Sequence, residues 1–168
     1  MHQLAETTVN LLVGKIKADI AAALLDVRSS RADALVSTEP PQNYFIYAGA
    51  MSYRTPAVFV VCESMQLRND QQGANHINAL ARVVVSVLVE DRNMVNLVTK
   101  AWRYHSALHK ILHLTALTSA DTKVRIISKV DRVSFSPEFS RSQSPDEADG
   151  VFRKEVALEL DVEHFENL

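Results

Sequence analysis

Glycine is scarce in this chain, with four residues in 168. Phosphate cradles of the GxGxxG and GxxxxGKS kinds need glycines at fixed spacing; neither pattern occurs, which argues against nucleotide-dependent chemistry. No serine sits in a GxSxG elbow of the hydrolase type. The one cysteine, Cys62, excludes an intrachain disulfide. It lies in AVFVVC with no cation or histidine adjacent in sequence to lower its thiol pKa, so burial as a small hydrophobe is its expected role. No apolar run approaches the ~20 residues that cross a bilayer, and MHQLAETTVN has no basic stretch followed by an apolar one. The expectation is a soluble chain made in the cytoplasm, with no membrane partner. With 18 Lys plus Arg against 20 Asp plus Glu, no excess of positive charge marks a nucleic-acid footprint.

What is present is patterned apolar residue, 47% of the chain, enough for one domain over residues 1–168. Over about residues 3–28, Ala5, Val9, Leu12, Ile16, Ile20, Ala23 and Val27 recur in steps of four and three, one stripe of a helix, with Lys15 and Asp19 off it. Pro40 and Pro41 close a polar loop at about 29–43. YFIYAG and AVFVVCESM read as strands on either side of the breaker RTP, and LRNDQQGANH as a loop at about 65–76. From Ile77 to about Glu90 a long strand puts Ile77, Ala79, Ala81, Val83, Val85, Val87 and Val89 on one face.

A second helix is expected over residues 93–114, capped by Asn93. Its apolar stripe is Met94, Leu97, Val98, Ala101, His105, Leu108 and Leu112; Asn96, Lys100, Arg103 and Lys110 fall on the far side. Within it, His105, His109 and His113 stand four apart. A repeat of four overshoots the helical turn by about 40°, so His105 belongs to the buried face and the other two drift off it, near Trp102. An i, i+4 pair supplies only two of the three or four ligands that zinc requires, and there is no HExxH, so neither metal nor cofactor is expected. A pH-sensitive interface is the alternative use of the three rings.

VRIISKVDRVSFSP is a further strand, with Ser128 as a candidate bulge. A polar excursion at about 137–150 follows, and VFRKEVALELDVEHF then alternates, with Val156, Leu158, Leu160 and Val162 on one face and Arg153, Glu155, Glu159, Asp161 and Glu163 on the other. Its 15 residues could span about 50 Å, longer than a small domain needs, which suggests that something beyond the subunit's own core uses the length. The carboxylates read first as a solvated strand face. The fold class is α+β, a mixed and mainly antiparallel sheet with both helices packed on it, in the order helix, strands, helix, two strands.

That order resembles the tail terminator, or tail completion, proteins of tailed bacteriophages. The resemblance is carried by ALARVVVSVLVEDRNMVNLVTKAWRYHSALHKIL, VRIISKVDRVSFSP, the polar loop and VFRKEVALELDVEHF. It implies a structural virion protein with no catalytic residues, forming a ring, by expectation a hexamer, that caps the tail tube and joins the tail to the head. Its partners would be further copies of itself, the tail tube protein and a neck or connector protein, in the neck of the virion. DNA would pass through the lumen without specific binding. On this reading Arg153, Glu155, Glu159, Asp161 and Glu163 form a ring or lumen interface, and the loop bearing Phe139 and Arg141 docks on a neighbour. The family offers no role for the three histidines. Other neck components, such as head completion or connector adaptor proteins, share the pattern, and a small enzyme or binding domain using His105, Cys62 or Tyr104 is the competing class.

Overall fold

A computed structural model describes residues 2–31, 38–47, 54–68, 75–140 and 150–167. Helix α1 (His2–Ser30) buries Leu4, Thr8, Leu12, Ile16, Ile20, Ala23 and Val27 along one side. The stripe begins at Leu4 rather than the expected Ala5, which is half-buried. Strands β1 (Asn43–Phe45), β2 (Ala57–Leu67) and β3 (His76–Asp91) follow, then α2 (Met94–Leu112), and the chain closes with β4 (Thr115–Thr118), β5 (Val124–Phe135), β6 (Phe139–Ser140) and β7 (Phe152–Asn167). One sheet holds all the strands in the order β1-β2-β3-β7-β5-β4, with β6 continuing the line of β5 alongside β7. Only the β1–β2 pairing is parallel among the described residues. The fold is α+β, and both helices lie on the same face of the sheet.

β3 passes directly into α2. The Asn93 side-chain oxygen accepts from the backbone N–H of Val95 at 2.9 Å and of Asn96 at 3.1 Å, satisfying two of the donors a helix start leaves open. The apolar side of α2 then falls back onto β3 and β7. Val83, Val85, Val87, Leu97, Ala101, Leu108 and Leu112 are all at 0% exposure in one cluster, as the two periodicities require.

Four expectations are corrected. Arg103, expected on the solvent side of α2, is 1% exposed: the buried arc of α2 is wider than its apolar stripe and takes in Arg103, Ala107 and Ile111 along with the sheet-facing residues. Met94, expected in the stripe, is 41% exposed although Leu112, five turns on and in the same direction, is at 0%: Met94 is the first residue of the helix, at its end rather than over the core. Ser128 is no bulge. It stands in register opposite Val162, and its hydroxyl donates to the Leu112 carbonyl at 2.7 Å, tying β5 to the end of α2, while the bulge falls between Val130 and Arg132.

The last correction concerns β7, whose length is used inside the subunit. It is an interior strand, paired with β3 from Phe152 to Asn167 on one side and with β5 and β6 on the other. The loops expected at 29–43, 65–76 and 137–150 are shortened by helix and strand: α1 runs to Ser30, β2 to Leu67, and β6 occupies Phe139–Ser140. Residues 32–37, 69–74 and 141–149 of those loops lie outside the described residues.

Leu160, at 0% exposure, faces Val83 on one neighbouring strand and Val130 on the other. Leu160→Ala is expected to cost about 2–5 kcal/mol by urea denaturation. Asn93→Ala, which removes only a cap, is expected to cost about 1 kcal/mol.

Candidate functional site

The face of the sheet turned away from the helices carries the densest charge network among the described residues. Arg82, on the outward side of β3, reaches onto β7 and across it to β5. Its Nη1 donates to Asp161 at 2.8 Å and to Asp131 at 3.1 Å, and its Nη2 donates to Glu159. Asp131 reaches this hub because the bulge in β5 lets Asp131 and Arg132 both approach it; Arg132 Nε stands 3.8 Å from Glu159. The three carboxylates raise the Arg82 pKa through their hydrogen bonds, Asp161 most. Glu163 meets Arg68 at 3.4 Å, and Arg153 donates to Glu90. Glu155 is exposed, and its backbone N–H is held by the Ser136 hydroxyl at 2.8 Å.

Of the expected interface residues, Arg153, Glu159, Asp161 and Glu163 are therefore partnered within the subunit. The surface they make is of mixed sign rather than acidic. Phe139 pairs with Arg153 in the ladder of β6 and β7, and Arg141 lies outside the described residues. Arg82 escaped the sequence reading although its signal was there: it falls on the outward side of a strand whose other side is uniformly apolar.

The three histidines line the edge of α2. His109 and His113 stack with ring centroids 4.7 Å apart, His105 stands edge-on to His109 at 6.1 Å, and its other aromatic neighbour is Phe135 of β5 at 5.6 Å. Trp102 is half exposed. All three rings are half-buried, so His105 sits at the margin of the core rather than inside it. The expected drift toward solvent stops at the helix end, where the chain turns through Leu114 (φ 55°) into β4 and His113 Nδ1 is sealed from water. Burial and then the neighbouring charges of His109 and Arg31 hold His105 below the ordinary imidazole value; burial and then His113 do the same for His109. Among the described residues no three metal-ligating side chains converge.

A more deeply placed histidine continues the alternation of β7. His164 is at 0% exposure, as is Thr8 of α1, and Thr8 Oγ1 lies 2.8 Å from His164 Nδ1. Since the Thr8 hydroxyl donates to the Leu4 carbonyl at 2.8 Å, the imidazole must be the donor, which places the proton of the neutral ring on Nδ1. Nε2 faces the Glu166 carboxylate at 3.8 Å. Burial lowers the His164 pKa against the raising influence of Glu166. The period-2 register Val156, Leu158, Leu160, Val162 pointed to position 164 as buried.

The residues of the competing enzyme reading do not share a site. Tyr104 lines a pocket of about 170 Å³ with Glu39, Thr55, Glu90 and Lys100, but neither Cys62 nor His105 lines it. The polar groups there are already partnered: Thr55 donates to Glu90 at 2.9 Å, Tyr104 donates to the Glu39 carbonyl, and Lys100 meets Asp91, outside the pocket lining, at 2.6 Å. Burial raises both the Tyr104 phenol and the Cys62 thiol, the direction opposite to an activated nucleophile or base.

No family model matches the sequence, and no curated protein matches it. Among solved structures the chain is similar to one described as "Virion of native gene transfer agent (GTA) particle", at 16% identity and a TM-score of 0.44, covering 90% of this chain and 97% of that one. Likeness of that degree assigns no function.

The histidines set a pH dependence. His105, His109 and His164 bind protons less readily when folded than at the ordinary value of 6.5, so between those values the unfolded chain carries more protons. Stability is fully present above about pH 6.5 and is lost as pH falls below it. The urea midpoint should drop from pH 7.5 to pH 5, and the drop should shrink in His164→Leu; a midpoint that rises on acidification contradicts this. On the outer face, Arg82→Met leaves Asp131, Glu159 and Asp161 repelling one another. It should lower the midpoint, and a second change, Asp161→Asn, should recover part of the loss.

Proposed function

We propose that the chain is a structural protein of a phage-like virion and, more specifically, a ring-forming tail terminator at the junction of tail and head. The observation that carries the reading is the two-sidedness of the sheet. Both helices cover one face, and the long β3, β7 and β5 present on the other a continuous ladder of arginines and carboxylates. A subunit that meets like copies side by side needs such a broad, rigid, charged face, because charge placement fixes register and excludes wrong partners. The mixed sign of the face also suits a lumen through which DNA slides, since a strongly basic wall would hold the phosphates. The tail tube protein and a neck or connector protein are the partners this role requires. The element order, with β3 running straight into α2 and a long alternating strand last, is that of the family the sequence resembles.

Head completion and connector adaptor proteins remain the neighbouring assignments within the same neck. The enzyme reading loses ground because Tyr104 and Cys62 are shifted away from reactivity.

Sedimentation of the purified chain at rising concentration tests the proposal. A discrete multi-subunit species, with the mass of a hexamer, is the expected result. A monomer at every concentration that copurifies with a stoichiometric metal or chromophore would favour the enzyme class.

A further inference from the structure

At the far end of the outer face, the tip of the β4–β5 hairpin and the end of β7 enclose a concave pocket of about 340 Å³. Its floor is Ile127 and Phe165, both half-buried, and its rim is Lys123, Arg125, Thr118, Thr122 and Asn167, all exposed. Of the neighbouring acids, Asp121 stands within electrostatic range of Lys123 but forms no ion pair with it. The Asp121 carboxylate holds the Ser119 hydroxyl and, at 3.2 Å, the backbone N–H of Lys123, while Glu163, opposite Ile127 in the ladder, is paired with Arg68. Among the described residues neither Lys123 nor Arg125 has a carboxylate within ion-pair distance. The site is thus a small apolar floor beneath two cations, fitted to a short acidic peptide with small apolar residues between its acids. Two cations are too few to hold a nucleic-acid backbone at physiological salt.

The chain contains such a peptide. Segment 145–149 reads PDEAD, with Asp146, Glu147 and Asp149 around Ala148. Its own subunit's pocket is out of reach. The segment leaves from Ser140 and returns at Gly150, and Ser140 is paired with Phe152 at the start of β7. Ten links out and back extend at most roughly 18 Å. Phe165 lies at the other end of the same strand, about 40 Å along it at ~3.3 Å per residue. With so short a tether, segment and pocket can meet only between molecules.

We propose that the pocket formed by Lys123, Arg125, Ile127 and Phe165 receives the acidic segment 145–149 of a second copy of this chain. The contact joins two different surfaces, so it is head-to-tail and propagates from copy to copy until the rotation closes a ring. That the partner is a second copy rests on the assembly reading above.

Two measurements on the full chain test it. In the first, a fluorescent peptide of residues 143–149 is titrated into the protein. Saturable, salt-sensitive binding is expected, weakened about tenfold in Lys123→Glu/Arg125→Glu. Absence of binding, or equal binding to the variant, overturns the pocket. In the second, self-association is compared for the wild type, for that variant, and for Asp146→Lys/Glu147→Lys/Asp149→Lys. Each variant alone should fail to associate, and an equimolar mixture of the two should recover, because each then offers the other's complement. Lys123 and Arg125 are exposed, and an unchanged circular dichroism spectrum of each variant checks that the fold is kept. If the variants associate as well as the wild type, this contact is wrong while the ring stands. If the wild type never associates yet binds the peptide, the pocket stands and the ring reading fails.

Discussion

Everything in this structure depends on β7 being held between β3 and β5. Its alternation gives it one apolar side, where Val156, Leu158, Leu160 and Val162 are at 0% exposure, and one charged side. Pairing on both edges satisfies its backbone, so the inner side must be covered by side chains from elsewhere, and α2 supplies them. Because β3 leads into α2 through two residues, α2 can fold back onto that side, and α1 then packs beside it. The outward side is left to charge.

That division explains the electrostatics. On a half-exposed surface each arginine–carboxylate pair contributes little, but Arg82 serves three carboxylates drawn from two strands, and the bulge in β5 is what brings Asp131 within its reach. The hub clips β3, β7 and β5 together on the side that no helix covers. It also cancels most of the acidity that the last strand shows when read alone, which changes the character of the face from repulsive to discriminating. Toward the end of β7, Lys123 and Arg125 stand exposed at the rim of the pocket, outside this hub.

Much of this was legible from periodicity. The period of 2 in β3 and β7, the period of 3.6 in α2 and the Asn93 cap each follow from local rules, and the structure keeps all of them. Reading failed where two elements meet. Arg103 is buried although it lies off α2's apolar stripe, and nothing within α2's own sequence signals how wide its buried arc is. The bulge at Asp131 rather than Ser128 reflects which residue the neighbouring ladder can absorb, a property of β7 and Arg82. The length of β7 pointed beyond the subunit only while its partners were unknown: the equally long β3, and β5 extended by β6, use all of it. For the outer face, sequence alternation identified the carboxylates but not their partners, since salt bridges across strands join residues as far apart in sequence as Arg82 and Asp161.

The central claim is that the outer face and the ends of this sheet are assembly surfaces of a ring in a phage-like particle. An image of the intact particle that contains the chain, at a resolution that traces β7, tests it most directly. The account predicts a closed ring of copies at the tail–head junction, with Arg82 and its carboxylates facing the lumen or a neighbouring subunit. A particle whose junction ring is built from another chain, or a ring in which this face is turned to bulk solvent with no neighbour against it, would contradict it.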